Sequence, residues 1–233
     1  MFITIRTRVL SVIILFILIF VGIGYTLMKI NDDSYMINTK NITVVLDAGH
    51  GGIDGGSVGV STGITEKELN LIYAKKVEKY LKAFGITVVQ TRNNLDGLYD
   101  STSKNLKESD MQKRASIISK VNPQAVISIH MNKYSDKSQK GAQVFYNEEN
   151  NLSINLANCI RDELVKSINN ARPLTLAGDY FMVKCSSCPS VIVECGFLSN
   201  PDEENLLQQE SYQNKLAYSI FIGIVRYLNV KCD

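Results

Sequence analysis

Two histidines are all that this chain of 233 residues possesses, and each closes an apolar run. Val44-Val45-Leu46-Asp47-Ala48-Gly49 leads into His50, and Ala125-Val126-Ile127-Ser128-Ile129 leads into His130. A buried strand that ends this way delivers an imidazole to the edge of an α/β sheet, where ligands and catalytic groups gather. One such histidine is more often a satisfied polar residue than a ligand. Both in the same setting point to a metal or catalytic site.

Two imidazoles do not complete a catalytic metal centre, which needs a third protein ligand and one open position. Gly63-Ile64-Thr65-Glu66-Lys67-Glu68-Leu69 starts a helix and offers two carboxylates. Thr65 and Glu68 have the Thr-x-x-Glu spacing of a capping box, which gives Glu68 an ordinary structural task. Glu66 precedes Leu69 by three and Tyr73 by seven, placing it on the inward stripe. An uncompensated carboxylate is costly there, and a metal removes the cost. The bland reading of Glu66 is a first-turn acid favoured by the helix dipole, and it would prevail if the motif stood alone. The fourth group is Glu194, which ends the apolar run Ser190-Val191-Ile192-Val193 just as the histidines end theirs. A carboxylate beside a metal-activated water can take its proton and pass it to a leaving amine. Its competing task is an ion pair with Arg92 or Arg114, which is compatible with catalysis.

The elements that must position these groups alternate. Strands are predicted near Thr43–Asp47, Ile86–Thr91, Gln124–Ile129, Ala142–Tyr146, Asp179–Lys184 and Ser190–Glu194. Helices are predicted at Glu66–Ala83, Asp110–Val121 and Asn151–Ile168, with two more closing the chain. That order predicts an α/β single domain with a mostly parallel central sheet flanked by helices, over residues 42–230. Ahead of it, Arg6 and Arg8 precede an uncharged stretch from Val9 to Met28. A helix of that length spans roughly 30 Å, the thickness of a bilayer core. Positive charge before the apolar run predicts a transmembrane signal anchor at 9–28, a cytoplasmic residue 1–8 segment, a linker at 29–41 and an extracytoplasmic domain. A cleaved signal peptide is the competing reading, disfavoured by the length of the run and the want of a small-residue cleavage motif.

The net charge of +2 gives no argument for nucleic acid as a partner. Five cysteines include a single Cys185-Ser-Ser-Cys188 before Pro189. Without a second pair they make no zinc ribbon. They read as structural, with a local disulfide as the alternative.

Five ordered motifs carry a family resemblance: Leu46-Asp-Ala-Gly-His-Gly-Gly-Ile-Asp-Gly-Gly56, Thr65-Glu-Lys67, Gln90-Thr-Arg92, Ser128-Ile-His-Met-Asn132 and Val193-Glu-Cys-Gly-Phe-Leu-Ser-Asn200. Together they resemble the zinc-dependent N-acetylmuramoyl-L-alanine amidases of the Amidase_3 family, from about Thr43 to Leu228. The resemblance implies one Zn²⁺ on His50, Glu66 and His130, with Glu194 as the catalytic carboxylate. It implies hydrolysis of the amide joining N-acetylmuramic acid to the L-alanine of the peptidoglycan stem peptide. An anchor with a bare catalytic domain looks most like the sporulation-type members, whose product is converted to muramic-δ-lactam in spore cortex. Arg92, Arg114 and Asn132 are candidate substrate contacts, although a structural role serves Arg92 and Arg114 at least as well. Asp47 is a candidate support for the ligands. The absence of wall-binding modules motivates an accessory protein that supports zinc binding or recruitment. The alternatives are another zinc peptidase on this scaffold, such as a carboxypeptidase, and a membrane-tethered peptidoglycan-binding protein without catalysis. The presence of His50, Glu66, His130 and Glu194 argues against the last.

Overall fold

The computed structural model describes residues 9–10, 12–22 and 41–230. The catalytic part falls in the second of two compact units, residues 39–233. Its elements are β1 (Thr43–Ala48), α1 (Glu66–Ala83), β2 (Thr87–Gln90), α2 (Leu106–Val121), β3 (Ala125–Asn132), β4 (Gln143–Tyr146), α3 (Asn151–Ser167), β5 (Leu176–Ala177), α4 (Phe181–Lys184), β6 (Ser190–Phe197), α5 (Pro201–Leu207) and α6 (Glu210–Val230). The sheet order is β2-β1-β3-β6-β4-β5. β2, β1, β3 and β6 run parallel, and β4 is antiparallel to β6 and parallel to β5.

The central strands read as unbroken apolar runs because both faces of a parallel sheet are covered. On one face Val45, Val126 and Ile192 meet Ile118 of α2 and Met182 and Val183 of α4. On the other lie α1, α3 and α6, whose inward stripes include Leu69, Tyr73 and Val77, Leu156 and Ile160, and Leu216 and Ile220, all buried. Register then sets the site. Leu46 is level with Ile127 and Ile127 with Val191, so β1, β3 and β6 end together at one edge.

One element differs from expectation. Asp179–Lys184, predicted as a strand, is an extended pair of residues followed by the single helical turn of α4, and the edge strand β5 forms earlier. Phe181-Met-Val-Lys alternates in a way that suits a strand. Yet Met182 and Val183 are buried together under the sheet, and a turn of helix puts both inward. Helix α2 also begins four residues before the expected Asp110, capped by the Asn105 side chain on the Glu108 amide.

In the first unit, residues 9–10 and 12–22 are helical with exposed side chains. No helix among the described residues is long and apolar enough to cross a membrane. The span expected at 9–28 includes residues 11 and 23–28, which lie outside the described residues. So do the expected cytoplasmic residues 1–8 and the expected linker up to residue 40.

Candidate metal centre

His50 is the second residue beyond β1 and adopts φ 62°, a left-handed conformation that costs a non-glycine residue energy and persists where surroundings enforce it. Two arginines enforce it. Arg114 donates from Nη2 to the His50 carbonyl (2.6 Å) and from Nη1 to the Ala48 carbonyl (2.9 Å) and to Asp47 Oδ1 (2.5 Å). Arg92 donates from Nε to the Ala48 carbonyl and from Nη2 to the Gly49 carbonyl, both at 2.8 Å. Gly49 is required because a Cβ there would overlap the His130 ring. At Gly56, φ 66°, a Cβ would lie 2.6 Å from Glu66 Oε2 and 2.7 Å from the His50 ring.

Glu66 is the first residue of α1. The capping box expected from the sequence is present, Glu68 accepting from the Thr65 amide at 2.9 Å, and it fixes the turn that aims Glu66 inward. Glu66 is 3% exposed. Its Oε1 lies 3.1 Å from His50 Nε2 and 2.9 Å from His130 Nδ1, and accepts from the Met131 amide at 3.1 Å. Its Oε2 accepts from the Ser57 amide at 2.7 Å. Burial would raise this carboxyl's pKa, but the two imidazoles hold it far below the carboxylate range. Burial likewise works against the charged form of His50, and Glu66 followed by Asp54 overcomes it, raising the imidazole to about 8.

One ligand atom from each of His50, Glu66 and His130 lies within 4.8 Å of the others. Two imidazole nitrogens and a carboxylate oxygen suit zinc, and three converging polar groups in a half-buried site fit a cation. His50 Nδ1 stands 2.9 Å from Asp54 Oδ2. The contact is one of charge and proximity, since Nδ1 has no aligned hydrogen-bond partner, and Nε2 faces Glu66 Oε1 at 3.1 Å. Asp54 is itself fixed by the Gly56 amide at 3.0 Å. The sequence reading did not single out Asp54; its signal was the position four residues after His50 in a glycine-rich turn.

Glu194 is the register partner of His130 on the neighbouring strand, so the two side chains leave the same face side by side. Its Oε2 is buried with no hydrogen-bond partner. Burial pushes its carboxyl up to about 7, His130 pulling it back and Glu66 adding to the rise. Neither Arg92 nor Arg114 pairs with it.

The arginines lie beneath the cleft. Arg114 is fully buried between Asp47 and Asp110, and Arg92 is 3% exposed, with its donors on backbone carbonyls. Of the two tasks expected of them, substrate contact or a structural role, the geometry matches the structural one, because their donors are spent on the turn that carries His50. The Asn132 side chain accepts from the Lys133 amide at 2.8 Å and is not among the groups lining the cleft. Asp47 is buried where it ties β1 to its neighbours, accepting from Ser128 Oγ at 2.5 Å and Thr91 Oγ1 at 2.6 Å. Cys159, Cys185, Cys188 and Cys195 are free thiols, and Cys188 belongs to the core under α2 and α4.

A candidate His-Glu-His metal site and a buried carboxylate at the open edge of a parallel α/β sheet fit a class, the hydrolases. The chain belongs to the Amidase_3 family of N-acetylmuramoyl-L-alanine amidases, whose model matches residues 44–226. It is 36% identical over 195 residues to the germination-specific N-acetylmuramoyl-L-alanine amidase of Bacillus subtilis, covering 82% of this chain and 81% of that protein. Among solved structures it resembles the CwlD amidase of Clostridioides difficile in complex with the GerS lipoprotein, with TM-score 0.77 and 36% identity over 82% of this chain and all of that one. The catalytic domain of CwlV from Bacillus (Paenibacillus) polymyxa var. colistinus matches at TM-score 0.72 and 30% identity, over 81% and 99% of the two chains. The chain is therefore a peptidoglycan hydrolase that cleaves between N-acetylmuramic acid and L-alanine.

Proposed function

We propose that the cut is made at the His50–Glu66–His130 centre with one Zn²⁺ bound, that Glu194 is its general base and acid, and that the substrate is spore cortex peptidoglycan. Zinc, when bound, polarises the scissile carbonyl and acidifies the attacking water. Glu194 takes a proton from that water and delivers it to the alanine nitrogen as the amide breaks. Its burial keeps the proton affinity near neutrality, where a group can both accept and release. His130 beside Glu194 in register is the observation that carries the reading. The cortex role rests on the likeness to a germination-specific amidase.

Residues 9–28 serve in this reading as a membrane anchor that holds the domain outside the cytoplasm, with residues 29–41 as its tether. The solved CwlD amidase was captured with a lipoprotein, and an accessory protein of that kind would support zinc binding or recruitment here.

The test is digestion of purified cortex peptidoglycan by the protein with and without zinc, beside Glu194→Gln, with fragments identified by mass spectrometry. Free stem peptides beginning with L-alanine, released only by the parent with zinc, are the expected result. Cuts within the peptide would make it a peptidase instead, and unimpaired cleavage by Glu194→Gln would remove the assigned base.

A further inference from the structure

Beside the metal ligands runs a cleft of about 490 Å³, walled by the first turns of α2 and by residues 179–182. Its charged lining residues other than the histidines are few, and nearly all have a counter-charge inside the protein. Asp47 and Asp110 hold Arg114, Asp54 faces His50, and Asp179 holds Lys184 at 2.8 Å. Lys107 is the exception. It lies on the α2 wall, is exposed and forms no ion pair among the described residues. It lines the same cleft as Asp54, His50 and His130. An ammonium without an ion-pair partner among the described residues therefore lines the cleft that also holds His50 and His130, with Leu106 and Met111 in the same lining.

The chemistry of the substrate supplies its complement. In peptidoglycan the residue after L-alanine is a glutamate joined onward through its side chain, so its α-carboxylate stays free close to the bond being cut. We propose that Lys107 is a specificity-determining residue that pairs with this carboxylate and thereby selects stem peptides whose second residue is unamidated. The proposal rests on the reading that hydrolysis occurs at the His50–Glu66–His130 centre.

The experiment uses the full zinc-loaded chain and two muramoyl tetrapeptides that differ only in a free or an amidated second-residue carboxylate. The parent is expected to favour the free acid roughly fivefold in kcat/KM, the difference lying in KM. Lys107→Met should bring the ratio toward one, Lys107→Arg should retain it, and added salt should erode it in the parent. A ratio that is the same in the parent and Lys107→Met overturns the proposal, as does a parent that cleaves both peptides equally well. Either result leaves the metal centre standing, whereas a parent that cleaves neither removes that reading and this one with it.

Discussion

Asp54 shows how much a metal site owes to side chains that never touch the metal. Its carboxylate lies 2.9 Å from His50 Nδ1, where its negative charge supports a ring that carries its proton on Nδ1. Asp54→Ala should weaken zinc binding roughly 10- to 100-fold, read by competition with a coloured chelator; an unaltered affinity would show that the arginine-held backbone alone orients His50. Glu194 makes a separate prediction. Only its deprotonated form can accept the water's proton, so kcat/KM should fall as pH drops through its pKa. Burial raises that pKa to about 7 in the protein alone, and a nearby dication draws it down, so the acid limb should lie at or below neutrality. Glu194→Gln should lose that limb, with kcat reduced roughly 10²- to 10⁴-fold and zinc still bound. A limb that survives the substitution would belong to another group. The three residues of the candidate metal site and the buried Glu194 were legible in the sequence because each follows an apolar run or begins a capped helix, settings in which a charged residue stands out. Asp54 and Lys107 lie in a glycine-rich turn and an exposed helix start, where polar residues are commonplace and only the folded chain reveals their neighbours.

At the level of elements, the His50 turn is held to the sheet and to α2 by the buried Asp47–Arg114–Asp110 group. Arg114→Met would leave two carboxylates buried without their cation, a loss of about 3–5 kcal/mol, and should lower the melting temperature by roughly 10 °C. A shift of only a degree or two would mean that the carboxyls simply protonate. Acid should expose the same group. Burial alone would raise the pKa of Asp47, but Arg114 and the Ser128 and Thr91 hydroxyls hold it down to about 2 from an ordinary 3.8. Because the folded value is depressed, the stabilisation is complete above pH 4 and is lost as pH falls toward 2, by about 2 kcal/mol. Urea titrations should find the stability gap between the parent and Asp47→Asn closing over that interval; a gap independent of pH would deny Asp47 its ion pair. The order of strands and helices was readable from apolar runs and capping residues, and the helix expected from Glu66 to about Ala83 spans Glu66–Ala83. The α4 segment was not, since four residues alternate equally well as a strand or as one helical turn, and only burial against β6 decides. The task of Arg92 and Arg114 was equally hidden: an arginine beside a motif looks the same whether it faces substrate or carbonyls.

Over the whole molecule, the unresolved matter of physics is how a catalytic domain with one cleft is kept near an insoluble polymer. The stretch from Val9 to Met28 carries no charged residue and follows Arg6 and Arg8, the pattern on which the proposed anchor, with the domain outside, rests. Confinement to the membrane surface would raise the local concentration of enzyme at nearby wall without any carbohydrate-binding module, the same gain that a tether gives a second binding event. The full chain is therefore expected in the membrane fraction, retained through an alkaline carbonate wash and released by detergent. Deletion of residues 1–28 should free it into solution. Its rate on small soluble muramoyl peptides should stay within about twofold of the parent, since the residues lining the cleft run from Asp47 to Ile192, while digestion of wall in cells should fall far more, as the effective-concentration argument requires. Release of the intact full chain by carbonate would mean that the apolar segment is cleaved or lies elsewhere. Equal digestion of wall in cells by the shortened, exported domain would mean that localisation does not come from residues 1–28.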